Sequence, residues 1–227
     1  MDRGAAHRAR LDRPGPAMSP ARVTIAAYGD SLVEGWGLNT ADGLPAQLEA
    51  ALIRAGKNAR VLNFGVAGET APEGLLRLPE VLEAMPQAAI LEFGANDCYQ
   101  GVPVEETEKA LSDMIHGLLG AGVAVLIAGW RTREDLFSQY ADDPMLAGMV
   151  PLAPPLFTPD YVQRFNQVHK TLAERHGLPF LPHILDPLGE PLPGQASHFQ
   201  ADGVHPSATG ARILAEVLAK ALLPMLP

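Results

Sequence analysis

The chain has 227 residues, 47% of them apolar and 19% charged, which is typical of one or two folded globular domains. This composition excludes a chain that is disordered throughout. The formal net charge of -9 disfavours nucleic acid and anionic membranes as main partners, because both surfaces are themselves negatively charged.

The first segment, residues 1–22, differs from the rest in composition. It carries five arginines against two acidic residues, with no apolar stretch longer than a pair of residues. We interpret it as a disordered basic extension, or as sequence upstream of a true start at Met18. It lacks the apolar region of about 7–15 residues that a secretory signal needs. Together with the single cysteine, Cys98, which excludes an internal disulfide, this favours a cytoplasmic location.

From residue 23 onward, short apolar runs alternate with amphipathic patterns. The apolar runs predict strands over 23–28, 60–64, 88–93, 123–128 and 179–181. The amphipathic patterns predict helices over 44–55, 103–118, 160–176 and 207–223, and the leucine-rich stretch 73–85, which Pro79 interrupts, predicts one or two short helices. This alternation predicts a single three-layer α/β/α domain over residues 23–227, with a mostly five-stranded parallel sheet.

Residues 131–159 do not fit the alternation, because connections of about 2–6 residues are usual in such domains. We interpret this segment as a lid-like insertion, since long loops in compact domains often cover binding sites. Its apolar side chains include Leu136, Phe137 and Met145. With Trp36 and Leu38 they are candidates for an acyl-binding pocket, and core packing or a surface patch is an equal alternative for each one singly.

Polar, glycine-rich loops follow three predicted strands. They read Gly-Asp-Ser-Leu at 29–32, Gly-Val-Ala-Gly-Glu-Thr at 65–70 and Gly-Ala-Asn-Asp at 94–97, and Asp-Gly-Val-His-Pro at 202–206 precedes the last helix. Open α/β sheets bind ligands beyond the carboxyl ends of their strands. We therefore expect these loops to meet in one site.

The loops contain the parts of an acyl-transfer site. A serine hydroxyl needs an imidazole base, and the base needs a carboxylate that fixes its tautomer; Ser31, His205 and Asp202 supply this set. Gly68 leaves a backbone N–H uncovered and Asn96 offers an amide, and donors of this kind stabilise a tetrahedral oxyanion.

These four blocks resemble those of the GDSL family of esterases and lipases, also called SGNH hydrolases, and the likeness extends from about residue 23 to 223. The most similar branch is that of the bacterial acyl-CoA thioesterase I, lysophospholipase and arylesterase enzymes, which are often periplasmic or secreted. The resemblance implies the flavodoxin-like SGNH fold and no metal or organic cofactor. It also implies oxyanion contacts from Ser31 N–H, Gly68 N–H and the Asn96 side chain.

The predicted function is that of a serine esterase that hydrolyses carboxylic esters or thioesters through an acyl-enzyme on Ser31. Its substrates are expected to be aryl or short-to-medium acyl esters, including lysophospholipids or acyl-CoA. A carbohydrate O-deacetylase and a non-catalytic binding module on the same fold are the alternatives. We expect a small-molecule partner and no stable membrane insertion, because no apolar run approaches the roughly 18 residues of a membrane span.

Other residues have plainer interpretations. His198 with Asp202 and His205 suggests a metal site, but the sequence has no further ligand at suitable spacing. Cys98 is expected to be a semi-buried packing residue. His169 and His176 are expected on the surface of one helix.

Overall fold

The computed structural model describes residues 22–132, 158–189 and 198–227. Within them a five-stranded sheet has the order β2-β1-β3-β4-β5, and every neighbouring pair is parallel. This confirms the predicted parallel α/β fold, and the strand order is that of flavodoxin-like proteins. The strands are β1 (Val23–Gly29), β2 (Ala59–Gly65), β3 (Ala88–Glu92), β4 (Ala124–Ala128) and β5 (Phe180–Leu181).

Helices connect the strands. They are α1 (Ser31–Glu34), α2 (Leu44–Arg54), α3 (Ala71–Leu75), α4 (Leu78–Glu83), α5 (Ala95–Gln100), α6 (Val104–Gly120), α7 (Pro159–Phe165), α8 (Val168–His176) and α9 (Ala208–Leu222). Short 3-10 turns follow at Asp186–Leu188 and Leu223–Met225.

The helices form two layers. The chain moves one way along the sheet from β1 to β2 and the opposite way from β3 to β4. Because such crossovers are right-handed, α2 and α6 lie on opposite faces. α9 packs with α2, whereas α3, α4, α7 and α8 pack with α6. This arrangement is the predicted three-layer domain.

The core is centred on β1 and β3. Nearly every residue of these strands is buried, as expected for parallel strands that are covered on both faces. Glu92, the last residue of β3, is the one charged residue of these two strands, and its carboxyl group is fully buried.

The predicted helix over 160–176 is divided into α7 and α8. At the junction the Asn166 side chain pairs with the backbone of Thr132, accepting from its N–H and donating to its carbonyl oxygen, each at 2.9 Å. The Asn166 side chain thus binds a segment that is distant in sequence, and an amphipathic pattern does not reveal such a tertiary contact. The short helices α1 and α5 were likewise not predicted, because both begin in glycine-containing loops.

Several predictions fall on segments outside the described residues. The basic extension is described only at Arg22, and the lid-like insertion only at its two ends. Leu136, Phe137 and Met145 lie outside the described residues, so their place in a pocket stays a prediction.

Gly29 is required by the close approach of β1 and β3. It pairs in register with Glu92, and a Cβ added to it would lie 2.3 Å from the Glu92 carbonyl oxygen and 2.6 Å from Val33 Cγ2. We expect Gly29→Ala to lower the free energy of unfolding by about 1–3 kcal/mol, the range for overpacked cores. Denaturant titration of the purified variant measures this.

Gly120→Ala is the matched control, because a Cβ at this exposed end of α6 meets nothing within 4 Å. It should leave stability unchanged or raise it by up to about 1 kcal/mol, since alanine favours the helix. Equal stabilities for the two variants would contradict the packing explanation.

Candidate active site

The residues predicted to form the active site lie beyond the carboxyl ends of the sheet strands. Ser31 follows β1, Gly68 lies in the turn after β2, and Asn96 is in α5, directly after β3. The chain runs from β1 to β2 on one side and then returns past β1 to β3, so the strand order switches here. This switch point is where open α/β sheets bind ligands.

A tight turn places Ser31 at the end of β1. Asp30 is the N-cap residue of α1, and its Oδ1 accepts a hydrogen bond from Leu32 N–H at 3.0 Å. The short helix ends at Gly35, which has a positive φ of 86°. Ser31 is therefore the first residue of α1, half-buried at the rim of the sheet.

Ser31, His205 and Asp202 form a continuous hydrogen-bonded chain. His205 Nε2 lies 2.9 Å from Ser31 Oγ, and His205 Nδ1 lies 2.7 Å from Asp202 Oδ2. With Nδ1 donating to the carboxylate, Nε2 is free to accept the serine proton. The structure thus brings the three predicted residues together in the geometry that general-base activation of a serine needs.

Hydrogen bonds keep the Asp202 carboxyl group ionised although its partial burial opposes the charge. Burial acts to raise its pKa, but hydrogen bonds from Val204 N–H at 2.9 Å, from the His205 side chain and from His205 N–H at 3.0 Å outweigh burial and lower the pKa. A carboxylate that stays charged can stabilise the imidazolium that forms when His205 takes up a proton.

The loop that carries Asp202 and His205 folds back on itself. Phe199 and Pro206 form an antiparallel bridge, and Gln200 N–H donates to the His205 carbonyl oxygen at 2.7 Å. The Gln200 side-chain amide donates to Pro206 O at 3.0 Å and to Trp36 O at 2.6 Å. Gln200 therefore ties the histidine loop to the loop after α1, a role that no sequence motif indicated.

Trp36 lies beside the histidine. Its ring centroid is 6.2 Å from that of His205, and 54% of the residue is exposed. Leu38 is half-buried in the same loop. Of the predicted substrate-binding residues, the structure thus brings Trp36 next to the triad.

Asn96 connects the loops that follow β1, β2 and β3. Its Nδ2 donates to Asp30 Oδ2 and to the Glu69 carbonyl oxygen, both at 3.1 Å. An amide nitrogen carries two hydrogens, so both are engaged in this arrangement. Gly68 precedes Glu69 and has a positive φ of 82°, with nothing within 4 Å of a Cβ placed on it. The two predicted oxyanion donors therefore belong to adjoining loops.

An ion pair braces the turn that contains Gly68. Arg77 Nε donates to Glu69 Oε1 at 2.7 Å, its Nη2 donates to Glu69 Oε2, and the same Nη2 reaches Phe64 O at 3.1 Å. The guanidinium also lies 5.5 Å from the Tyr28 ring centroid. Nothing in the sequence singled out this pair, since its members lie in separate elements.

Asp97, the residue after Asn96, accepts hydrogen bonds from neighbouring segments. It is fully buried and accepts hydrogen bonds from Ala71 N–H and Thr107 Oγ1, each at 2.9 Å. Burial raises its pKa to about 6. These contacts join Asp97 in α5 to α3 and α6, so it orients the segments around the site.

The structure also tests the interpretations of Cys98, His169 and His198. Cys98 is buried completely, more than expected, and burial raises the pKa of its thiol to about 12, which disfavours a nucleophilic thiolate. The prediction that His169 is a surface residue is wrong: it is 2% exposed, with Nε2 2.8 Å from Phe93 O. His198 Nδ1 lies 2.8 Å from Leu188 O, so one ring nitrogen is spent on a backbone carbonyl.

In the part of the chain that the structure describes, no group of three or more His, Cys, Asp or Glu side chains is placed to hold a metal ion. The expectation of no metal or organic cofactor stays a prediction. Among the same residues, no helix has both the length and the apolar character to cross a bilayer.

Comparisons with known proteins point in one direction. Residues 27–213 match the model of the GDSL-like lipase/acylhydrolase family. Esterase TesA of Pseudomonas aeruginosa is 28% identical over 207 residues, which are 91% of this chain and 90% of that protein. The arylesterase of Vibrio mimicus is 27% identical over 208 residues, 91% and 92% of the two chains.

Solved structures agree with these relatives. The crystal structure of TesA has a TM-score of 0.70 at 28% identity and covers 91% of this chain and 100% of its own. That of AlinE4, described as an SGNH-hydrolase family esterase, has a TM-score of 0.64 at 31% identity, covering 91% and 98%.

The Arg77–Glu69 pair provides a test of how the site is braced. Its side chains are 23% and 10% exposed, so Arg77→Met leaves a largely buried carboxylate without its partner. We expect the free energy of unfolding to fall by about 1–3 kcal/mol. Arg54→Met, which removes an ion pair whose side chains are 55% and 49% exposed, should change it by less than about 1 kcal/mol. Equal losses in the two variants, measured by denaturant titration, would refute the bracing role.

Proposed function

The chain belongs to the GDSL-like lipase/acylhydrolase family, and from that premise we propose that it cleaves esters through an acyl-enzyme on Ser31. It is a serine hydrolase that acts on ester bonds, as its relatives' names and its fold agree. The observation that carries the residue assignment is the hydrogen-bonded chain from Ser31 Oγ through His205 to Asp202.

In the first half-reaction Ser31 Oγ attacks the ester or thioester carbonyl carbon while its proton passes to His205 Nε2. A tetrahedral intermediate forms, and its oxyanion is stabilised by hydrogen bonds. His205 then gives the proton to the leaving oxygen or sulfur, and the carbon–leaving-group bond breaks. Asp202 keeps Nδ1–H in place throughout and stabilises the transient imidazolium.

The second half-reaction releases the acid. His205 takes a proton from a water molecule as that water attacks the acyl carbon, and the proton then returns to Ser31 Oγ when the acyl bond breaks. No group is left oxidised or reduced, so the cycle needs no redox cofactor.

The proposed oxyanion donors are the N–H groups of Ser31 and Gly68 and the Nδ2 of Asn96. Each prepositioned donor of this kind lowers the barrier by about 3–4 kcal/mol. Asn96 Nδ2 lies between Asp30 Oδ2 and Glu69 O at 3.1 Å from each, within the normal range for hydrogen bonds to oxygen. One of these hydrogens turns to the oxyanion when it forms.

The substrate we propose is a small ester or thioester with an apolar acyl or aryl group, rather than a polyanion. Three of the exposed large apolar residues belong to the loops that carry or adjoin the proposed site residues, Trp36, Val66 and Val204, and a fourth, Tyr99, lies in α5 with Asn96. A net charge of -9 disfavours nucleic acid. The lone cysteine, buried and unable to form an internal disulfide, supports a reducing, cytoplasmic location.

Ser31→Ala tests the nucleophile. We expect kcat/KM for p-nitrophenyl acetate to fall by at least about 10³-fold with the fold retained, because the attacking oxygen is lost. A fluorophosphonate should label the wild-type protein on Ser31 and leave the variant unlabelled, as read by mass spectrometry. Ser112→Ala, in α6, is the control and should keep both activity and labelling. Unchanged hydrolysis by the Ser31→Ala protein would rule out the assignment.

A panel of p-nitrophenyl esters tests the apolar rim. If Trp36 contacts the acyl or aryl group, Trp36→Ser should raise KM for octanoate by about 10-fold, and raise KM for acetate less, because a longer chain buries more apolar surface on the indole. Ile53→Ser, at a site equally exposed (54%) but on α2, is the control. An acetylated sugar hydrolysed faster than every aryl ester would favour the deacetylase alternative instead.

A further inference from the structure

Glu92 is a buried acid that the proposed reaction does not use. It is 0% exposed, and among the described residues no side-chain N–H or O–H group donates a hydrogen bond to Oε1 or Oε2. Among the described residues no lysine or arginine forms an ion pair with it. An isolated buried carboxylate is costly, so the group either neutralises or has a reason to remain.

The neighbours of Glu92 are themselves acids. Besides burial, the charge of the Asp30 carboxyl group, from the turn after β1, a hydrogen bond to that group and the charge of Asp97, from α5, all raise the pKa of Glu92, whereas the Asp30 N–H lowers it. Two carboxylate anions cannot hydrogen-bond to one another, because both only accept. A hydrogen bond between Glu92 and Asp30 therefore requires that one of them carries a proton.

Strand register delivers the Glu92 carboxyl to this position. Gly29 pairs with Glu92, and Glu92 Oε2 lies 2.9 Å from where a Gly29 Cβ would stand. The side chain thus lies against the residue that precedes Asp30, directly below the turn that holds Ser31.

We propose that Glu92 is a positioning residue: it keeps its proton in the working enzyme and donates an O–H hydrogen bond to Asp30. Asp30 is thereby held as the acceptor for Leu32 N–H and for Asn96 Nδ2. The inference rests on the proposed function, since it matters for turnover through Ser31 and Asn96.

The protonation order supports this arrangement. Burial raises the pKa of Glu92 well above its usual range, and the neighbouring Asp30 charge raises it further. Burial raises the pKa of Asp30 to about 6, with Leu32 N–H and Glu92 acting in the opposite direction. Asp97 raises the pKa of Asp30 and His205 lowers it. Asp30 accepts hydrogen bonds from Leu32 N–H and Asn96 Nδ2, which stabilise its anion, whereas no side chain donates to Glu92, so of the two acids it is Glu92 that keeps the proton.

Infrared spectroscopy tests the proton directly. At pH 8 the wild-type protein should show the C=O stretching band of a buried carboxylic acid, and Glu92→Gln should lack it. This readout does not depend on turnover. A wild-type spectrum with no such band, or a band that persists in Glu92→Gln, would overturn the inference.

Kinetics test the positioning. Glu92→Gln keeps a neutral side chain with N–H donors, so kcat should stay within about threefold of wild type. Glu92→Leu has similar volume but no donor, and its kcat should fall about 10²-fold, the effect of losing one oxyanion donor, with KM nearly unchanged. Equal losses in the two variants, or full activity in Glu92→Leu, would contradict the role.

Ile90→Ala is the control for mere destabilisation, because Ile90 is buried on the same strand and, two residues away, on the same face. It should lower stability but leave kcat within about twofold. If it lowered kcat as much as Glu92→Leu, the inference would fall. Should Glu92→Leu not fold, the infrared comparison and Glu92→Gln still decide. Failure of fluorophosphonate to label wild-type Ser31 would instead count against the proposed function alone.

Discussion

The site depends on the hydrogen bonds that converge on one buried carboxyl group, that of Asp30. It accepts from Leu32 N–H, which shapes the turn bearing Ser31, and from Asn96 Nδ2, which also reaches the loop after β2. The loops beyond three neighbouring strands are thereby held against one another. A packed sheet alone fixes only the strand ends, so these polar contacts set the relative positions of the loops.

The remaining supports come from outside this group. Arg77 holds Glu69 and therefore the Gly68 turn, while Gln200 joins the histidine loop to the segment containing Trp36. Asp97 connects α5 to α3 and α6 by accepting hydrogen bonds from Ala71 N–H and Thr107. These contacts join separate elements, with partners that range from 8 residues apart for Arg77 and Glu69 to 164 residues apart for Gln200 and Trp36.

The sequence predicted the sheet, the long helices and the order of the four blocks well, because these follow from local periodicity and from short motifs. It did not predict the break at Asn166, the burial of His169 or the tie made by Gln200. Each of these depends on a partner 34 or more residues away: Thr132, Phe93 or Trp36. The burial of Glu92 could have been predicted, because it is the one charged residue in the apolar run 88–93.

The proposed nucleophile, Ser31, and the proposed base, His205, are held by different kinds of structure. Ser31 follows β1, a strand that is paired on both sides, whereas His205 lies on a loop that the Phe199–Pro206 bridge and Gln200 hold among the described residues. Local opening takes least free energy where few buried contacts must break. We therefore expect the base to separate from the nucleophile and return while the sheet stays folded, so that heating causes a reversible loss of activity at a lower temperature than unfolding.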